Sequence, residues 1–495
     1  MYCSTLKGNL VRIAETEAGV RSTPRGPVLA WIAAHGIGAL LLTWIALANG
    51  YPLLFSDSGG YLRVATEFRY LLDRPITYGL MIAPFVRLLG LWSVAGAQAL
   101  FATWLIGQVL VAVTMRRSAV MLIVTIAVLA VSSSLPWFTG QVMPDLFTSL
   151  LALTLYLLLF APGTQLRVWL LAAVATGLIA LHLSHIPLAA ALIVTGGAVL
   201  FWQDGGRAAV RGVIPALAAL LVAILGLCTV SLIVVDSFRP SLESNQFLVA
   251  RTFDGGIGQP VLARICRTET WRLCRVRGFV DDPRRPQPGQ DYLWAADSPR
   301  APLEIASPVA FRAEEGAFAR RVLHDDPGGT LRIAVLGWRD QLIDARAADG
   351  MVAYRPRMLL VQQIHRYFSG TGGAFDTSRQ QRGVLQRLAI APDRVIALLM
   401  SLAAPVFLWA AIRHGDRRMT ALVVLVLVTV VANAAICGIL SGPADRYQSR
   451  IVWLLVLIGI VGVERCGRTL SGRARSLDTR HDTRPPESRT TPAFP

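Results

Sequence analysis

Ile76-Thr-Tyr-Gly-Leu-Met-Ile-Ala-Pro84-Phe-Val-Arg87-Leu-Leu-Gly-Leu91 decides the topology of the whole chain. The stretch is apolar, and if it crossed a membrane every later loop would change sides. Arg87 inside it, with Pro75 before it and Pro84 within it, fits a helix lying in the interface better than a span. Around it the chain carries apolar runs of roughly 18 to 24 residues, the length a helix needs to cross a bilayer. Ten spans are predicted, at 28–50, 92–115, 118–136, 146–161, 168–186, 188–202, 212–235, 395–412, 419–440 and 451–465. With 76–91 held out and the N-terminus cytoplasmic, Arg21 and Arg25, Arg116 and Arg117, Arg167, Arg207 and Arg211, and Arg413, Arg417 and Arg418 all fall inside. So does the arginine-rich tail from Arg465, so every cytoplasmic turn obeys the positive-inside rule.

The expected architecture is an all-α polytopic membrane protein with an exported segment, mixed α/β or α, inserted before the last three spans. It divides into a cytoplasmic N-terminus (1–27), a transmembrane module (28–235) with a first outer loop (51–91), the exported segment (236–394), the C-terminal spans (395–466) and a basic cytoplasmic tail (467–495). The tail is polar, holds Pro485, Pro486, Pro492 and Pro495, and is expected to be disordered. Glu15 and Glu17 precede the first apolar run and no small-residue cleavage site follows it, so that run reads as an uncleaved helix rather than a signal peptide.

Composition agrees. Of 495 residues 54% are hydrophobic and only 16% charged, against about 25% charged in soluble domains. The net charge of +17 is almost wholly arginine, Lys7 being the lone lysine. Those arginines flank apolar runs instead of forming a basic domain, which argues for topology and against nucleic-acid binding. Cys228 and Cys437 lie in apolar runs, and Cys3 and Cys466 near the cytoplasmic side. Cys266 and Cys274 share the exported segment, where a disulfide between them is expected.

After the first span the chain reads Tyr51-Pro-Leu-Leu-Phe-Ser56-Asp57-Ser58-Gly59-Gly60-Tyr61. Asp57 stands a few residues past the membrane edge, where an acid can face a lipid-linked substrate. Ser58, Gly59 and Gly60 permit close backbone approach, and Tyr61 offers a ring and a hydroxyl. Arg74-Pro75-Ile-Thr-Tyr78 opens the interfacial helix, and Pro144-Asp145 closes the next outer turn. Each acid taken alone also reads as a helix N-cap. His182 and His185 lie three apart near the outer end of the fifth span, a spacing that shares one helix face. Either they contact substrate or Asp145, or they bind zinc with Asp145 as third ligand, or they pack as satisfied histidines. The last outer loop is Ser441-Gly-Pro443-Ala-Asp445-Arg446-Tyr447-Gln-Ser-Arg450. Its Arg446 and Tyr447 could grip an anion or simply anchor the interface.

In order and spacing these features resemble the GT-C-type glycosyltransferases, which include lipid A aminoarabinose transferases and protein O-mannosyltransferases. The resemblance rests on Asp57 with Tyr61 four residues on, on Arg74-Pro75-x-x-Tyr78, on Asp145 leading the fourth span, and on Arg446-Tyr447 before a late span. It covers residues 28–235 in pattern. Where the family commonly has Asp-Glu-x-x-Tyr, this chain has Ser58 in place of the second acid. The resemblance implies transfer of a sugar from a polyprenyl-phosphate donor at the outer face of the membrane. Asp57 would then be the catalytic or acceptor-binding acid.

That chemistry needs a base or an orienting carboxylate, and cations for the phosphate leaving group. Asp57 and Asp145 are the candidate catalytic acids. Tyr61, Arg74, Tyr78, His182, His185, Arg446 and Tyr447 are the candidate substrate contacts, with Arg63, Arg69 and Arg450 as further cations. No cofactor is assigned, and a divalent metal between the two acids is left open. The expected partners are the donor, membrane lipids and an envelope glycan, lipid or protein acceptor. The expected place is a bacterial inner membrane with both termini cytoplasmic. In the exported segment Phe247–Phe253 and Val322–His324 read as short helices, 281–289 as a loop and 291–299 as turn-rich, with Trp294 available to an acceptor. Two other classes compete: a transporter or flippase of lipid-linked glycans, and a catalytically degenerate scaffold. A transporter should carry its ionisable groups near mid-membrane, whereas here the acids stand at helix ends.

Overall fold

The computed structural model describes residues 25–241, 243–388 and 393–481. Residues 1–24, with Cys3, and 482–495 lie outside them. Among the described residues the fold is all-α, with no β-strand, and the segment 236–394 is helical too. Its helices include Ser244–Asp254, Gly258–Thr268, Pro308–Asp325 and Pro327–Ile343, and Pro288–Trp294 occupies half of the stretch expected to be turn-rich.

Among the described residues five helices are long and apolar enough to cross a membrane: Leu91–Thr114, His185–Asp204, Gly206–Val235, Arg417–Leu440 and Asp445–Arg465. Gly26–Leu42, Thr77–Leu89, Ala119–Ser132, Leu146–Phe160, Gln165–Ala180 and Leu398–Arg413 are apolar but shorter, and at ~1.5 Å per residue they fall short of a ~30 Å hydrocarbon core. Leu40, Val194, Ile233 and Trp409 point outward from their helices. Exposed apolar side chains spread along such helices are what a lipid-embedded surface requires. Leu146–Phe160 is the central helix: every side chain from Leu146 to Leu159 is buried.

The quoted stretch forms the helix Thr77–Leu89. Its Arg87 turns back to donate to the Ala65 and Thr66 carbonyls (2.7 and 3.0 Å) at the end of the helix Ser58–Glu67. A cation suits that helix end, where carbonyls lack partners.

Among the described residues two predicted spans are interrupted, the first and the third, the latter (118–136) dividing into Ala119–Ser132 and Leu135–Thr139. The first divides at Thr43 into Arg25–Leu42 and Trp44–Asn49. The Thr43 hydroxyl bonds back to the Leu40 carbonyl (2.9 Å), a local bond that competes with the helix ladder. The fifth span, expected to reach 186, ends at Ala180, and the sixth, expected from 188, starts at His185. Pro187 falls in the first turn of that helix, where its missing N–H costs nothing. His182 and His185 therefore do not share a helix face. The last helix runs on to His481, and the rest of the tail expected to be disordered, 482–495, lies outside the described residues. No proline intervenes before Pro485, and extending an existing helix needs no new nucleus.

The bundle has two distinct ends. At one, Arg417 pairs with Asp204, Arg418 donates to the Ala112 carbonyl, Arg465 pairs with Asp416, and Tyr156 donates to the Arg418 carbonyl. The other gathers the first loop, the turn before Asp145, the turn at His182 and the start of the last helix. Two apolar cores are present. One runs through the bundle and takes in Ala345, Met351, Leu360, Phe375 and Leu385. The second is built from Val249 to Val322, including Phe253, Tyr292, Phe311 and Phe318. The segment 236–394 is thus not one unit. Its first part has its own core and holds the Cys266–Cys274 disulfide (Cα–Cα 5.7 Å), while its last part packs onto the bundle.

Candidate functional site

Asp57 occupies the N-cap position of Ser58–Glu67, but its side chain makes no capping bond. Its backbone is already helical, at φ −68° and ψ −23°, whereas a capping residue is usually extended. The carboxylate turns instead to Arg74, 2.7 Å away, and lies 3.7 Å from Arg446. Asp145 repeats the pattern at the head of the central helix: N-cap position, helical backbone, no capping bond. Its Oδ1 accepts from Arg450 Nη1 at 2.9 Å, and both side chains are buried. So neither acid is the cap that its position suggested.

Backbone pairing brings the two acids to one end of the bundle. Leu53 N–H donates to the Gly140 carbonyl and Val142 N–H to the Leu53 carbonyl, each at 2.9 Å. This isolated bridge joins the first loop to the turn before Asp145. Ser58 reinforces it: its buried hydroxyl donates to the Val142 carbonyl and accepts from Phe55 N–H, both at 2.9 Å. The position where the family's second acid stands is thus a stitch between loops. Gly59 is needed for a different neighbour, since a Cβ there would lie 2.7 Å from the Leu360 backbone. Gln380 closes the same cap from the far end of the exported segment, bonding Asn49 and both backbone polar groups of Leu54.

Arg446 and Tyr447 link the two acid–arginine pairs. The Arg446 guanidinium lies against Phe55 (4.1 Å) and Tyr447 (4.9 Å) and donates to the Tyr447 hydroxyl at 3.2 Å. Arg450 meets the same tyrosine ring at 5.2 Å. Arg74 also holds Asp73 and faces the Tyr61 ring at 5.7 Å. Burial pushes the Asp57 carboxyl up, but Arg74 and Arg446 outweigh it and hold the group below the usual carboxylate range. Burial raises the Tyr61 hydroxyl, so it stays protonated as a donor.

Other predicted contacts are placed differently. Tyr78 is fully buried and donates to Gln98 Oε1 at 2.8 Å, and Gln98 ties down the Thr139 and Gln141 carbonyls; it supports the site from behind. His185 is buried, with Nδ1 donating to the Leu178 carbonyl (2.7 Å) and Nε2 accepting from Thr148 (2.9 Å). His182 is half-buried, 5.5 Å from the His185 ring, and its Nδ1 meets the Ser184 hydroxyl and N–H. Arg63 and Arg69 pair with Glu67, not with either acid. Trp294 is exposed on the part with the second core.

The proposed Asp145–His182–His185 zinc set does not form, because Arg450 holds Asp145 and both His185 nitrogens are engaged. Nor do the two acids share a metal position; arginines neutralise each of them. Among the described residues no group of three or more His, Cys, Asp or Glu side chains could hold a metal ion. The sequence reasoning missed Asn433, which accepts from Arg450 Nη2 at 3.0 Å and donates to the Tyr447 carbonyl at 2.7 Å. An asparagine inside an apolar run was the available signal. No protein-family model, curated protein or solved structure matches the chain.

Proposed function

We propose that the protein is a GT-C-type membrane glycosyltransferase that moves a sugar from a polyprenyl-phosphate donor to an envelope glycan, lipid or protein at the outer membrane face. The five long helices and five of the shorter ones then make ten spans, with Thr77–Leu89 in the interface, in a bacterial inner membrane with cytoplasmic termini. The observation that carries this proposal is that Asp57 and Asp145, both at helix starts, cap nothing and turn to arginines at one end of the bundle. The gathering of Arg417, Arg418 and Arg465 at the opposite end supports the topology.

In this assignment Asp57 orients the acceptor nucleophile, and Arg74 and Arg446 hold the phosphate that leaves. Asp57 paired to two arginines is a poor base, so its first task is hydrogen bonding. Asp145, locked to Arg450, positions the last helix and with it Arg446. The test is transfer by the purified full-length chain from labelled polyprenyl-phosphate sugars. Wild type should transfer, and Asp57→Asn should lose about 10²–10⁴-fold while expressing and unfolding normally. Full activity in Asp57→Asn removes that residue's role. No transfer across a broad donor panel removes the transferase assignment in favour of a transporter or a scaffold.

A further inference from the structure

Arg446 is the least satisfied cation of the site. Its Nη1 is buried and has no hydrogen-bond partner, and the nearest carboxylate, Asp57, is 3.7 Å away. Phe55 and Tyr447 flank the guanidinium at 4.1 and 4.9 Å, which fixes its plane and leaves Nη1 directed at Asp57. Asp57, Arg446 and Arg74 keep 22%, 17% and 16% of their side chains exposed, so the three groups stand at the edge of solvent, and the covered Nη1 of Arg446 is reached only by displacing a neighbour. Asp145 and Arg450 offer no such access. A guanidinium edge of this kind can take the non-bridging oxygens of the donor's phosphodiester in place of a carboxylate held at 3.7 Å, and holds the leaving monoester, with its third oxygen and added charge, more strongly still.

We propose that Asp57 and the phosphodiester of the donor compete for Arg446 and Arg74, so that Asp57 is locked on the two cations and arrival of the donor phosphate frees it. This rests on the donor class proposed above and adds an order of events to it. While Asp57 occupies the cations it cannot serve an acceptor. Once phosphate oxygens take Nη1 of Arg446 and the Arg74 edge, the carboxylate is released into the same space, beside the bond to be broken. The acid therefore becomes available only when a donor is present, which limits wasteful attack by water.

Two effects of opposite sign follow from removing the Asp57 charge: sugar transfer falls, but phosphate binding tightens. The probe is farnesyl phosphate, a short form of the monoester that transfer leaves behind and a ligand for the same two arginines, with farnesol as the uncharged control, bound to the purified full-length protein in detergent. Asp57→Asn should bind farnesyl phosphate about tenfold more tightly than wild type, the equivalent of losing one charge-assisted competitor. Arg446→Gln should weaken it by a similar factor, and farnesol binding should change in neither. If Asp57→Asn is not monodisperse, Asp57→Ser reports the same quantity. Equal or weaker binding to a folded Asp57 variant overturns the lock, as does unchanged binding to Arg446→Gln or no binding to any form. Failure of the lock is distinct from failure of the transferase proposal. Tightening with no transfer from any donor keeps the lock and removes the transferase; transfer with no tightening does the reverse.

Discussion

Two clusters of buried charge sit in different parts of the molecule, and they are balanced differently. In the site, Arg74, Arg446 and Arg450 face Asp57, Asp73 and Asp145. In the part with the second core, Glu243, Glu304 and Glu315 share only Arg300 and Arg312. Tyr292 adds a hydrogen bond to Glu315 at 2.6 Å but no positive charge. One cluster is therefore balanced in charge, and the other keeps a surplus acid that does best with a proton. The directions of the Asp57 and Glu243 carboxyls follow that difference. Asp57 is held low despite burial, whereas burial and the neighbouring Glu304 hold Glu243 up to about 8. Charge balance, more than burial, decides which cluster is ready to interact with a ligand and which with a proton.

The largest effects should come from leaving an arginine stranded. Asp145→Asn removes the only carboxylate beside the fully buried Arg450, and a guanidinium cannot shed its proton. Breaking a buried pair from one side costs about 3–5 kcal/mol, so the full-length protein in detergent should melt far below wild type. Pairing Asp145→Asn with Arg450→Met should recover much of the loss. A single variant that melts like wild type would mean that water or another group already satisfies Arg450.

Stranding carboxylates should cost less. Arg300→Met leaves three glutamates with one arginine, but a buried acid can neutralise itself by binding a proton. The expected loss is about 1–3 kcal/mol near neutral pH, read as faster hydrogen exchange in Ser244–Asp254 and Pro308–Asp325, and it should shrink at pH 5. A loss as large as that of Asp145→Asn, at both pH values, would erase the distinction between the clusters.

The sequence exposed these features unequally. Long apolar runs announced most helices, because burying a membrane helix needs about 20 apolar residues and nothing subtler. The break at Thr43 was hidden, since it depends on a local bond that a hydropathy run conceals, whereas the boundary between the fifth and sixth spans was legible and only misplaced by a few residues. Both acids were visible as residues at helix starts, but a cap and an ion pair look alike until the partner is known. Arg450 lies 305 positions from Asp145, and no local pattern reports such a distance. Ser58 was legible as a missing acid but not as the stitch to Val142. The return of 345–388 onto the bundle depended on Gly59 meeting Leu360, a fit between two segments that are individually unremarkable in composition.

The smallest effect isolates the proton in the second cluster. Glu243 has a folded value near 8, against about 4.3 for an unfolded glutamate. Between those values the folded part binds more protons than the unfolded chain, so its stability is greatest below the unfolded value and declines as pH rises through about 8. Exchange-competent opening of Ser244–Asp254 and Pro308–Asp325 should therefore grow between pH 6 and 8, by at most about tenfold per pH unit after correction for intrinsic exchange. Glu243→Gln carries a permanent neutral group in the same place and should flatten that slope while leaving the helices of the site unchanged. The site itself should show no matching trend from Asp57, whose low value puts its titration below this window. An equal slope in Glu243→Gln would move the surplus proton to Glu304 or Glu315, since those are the remaining carboxylates that touch the two arginines.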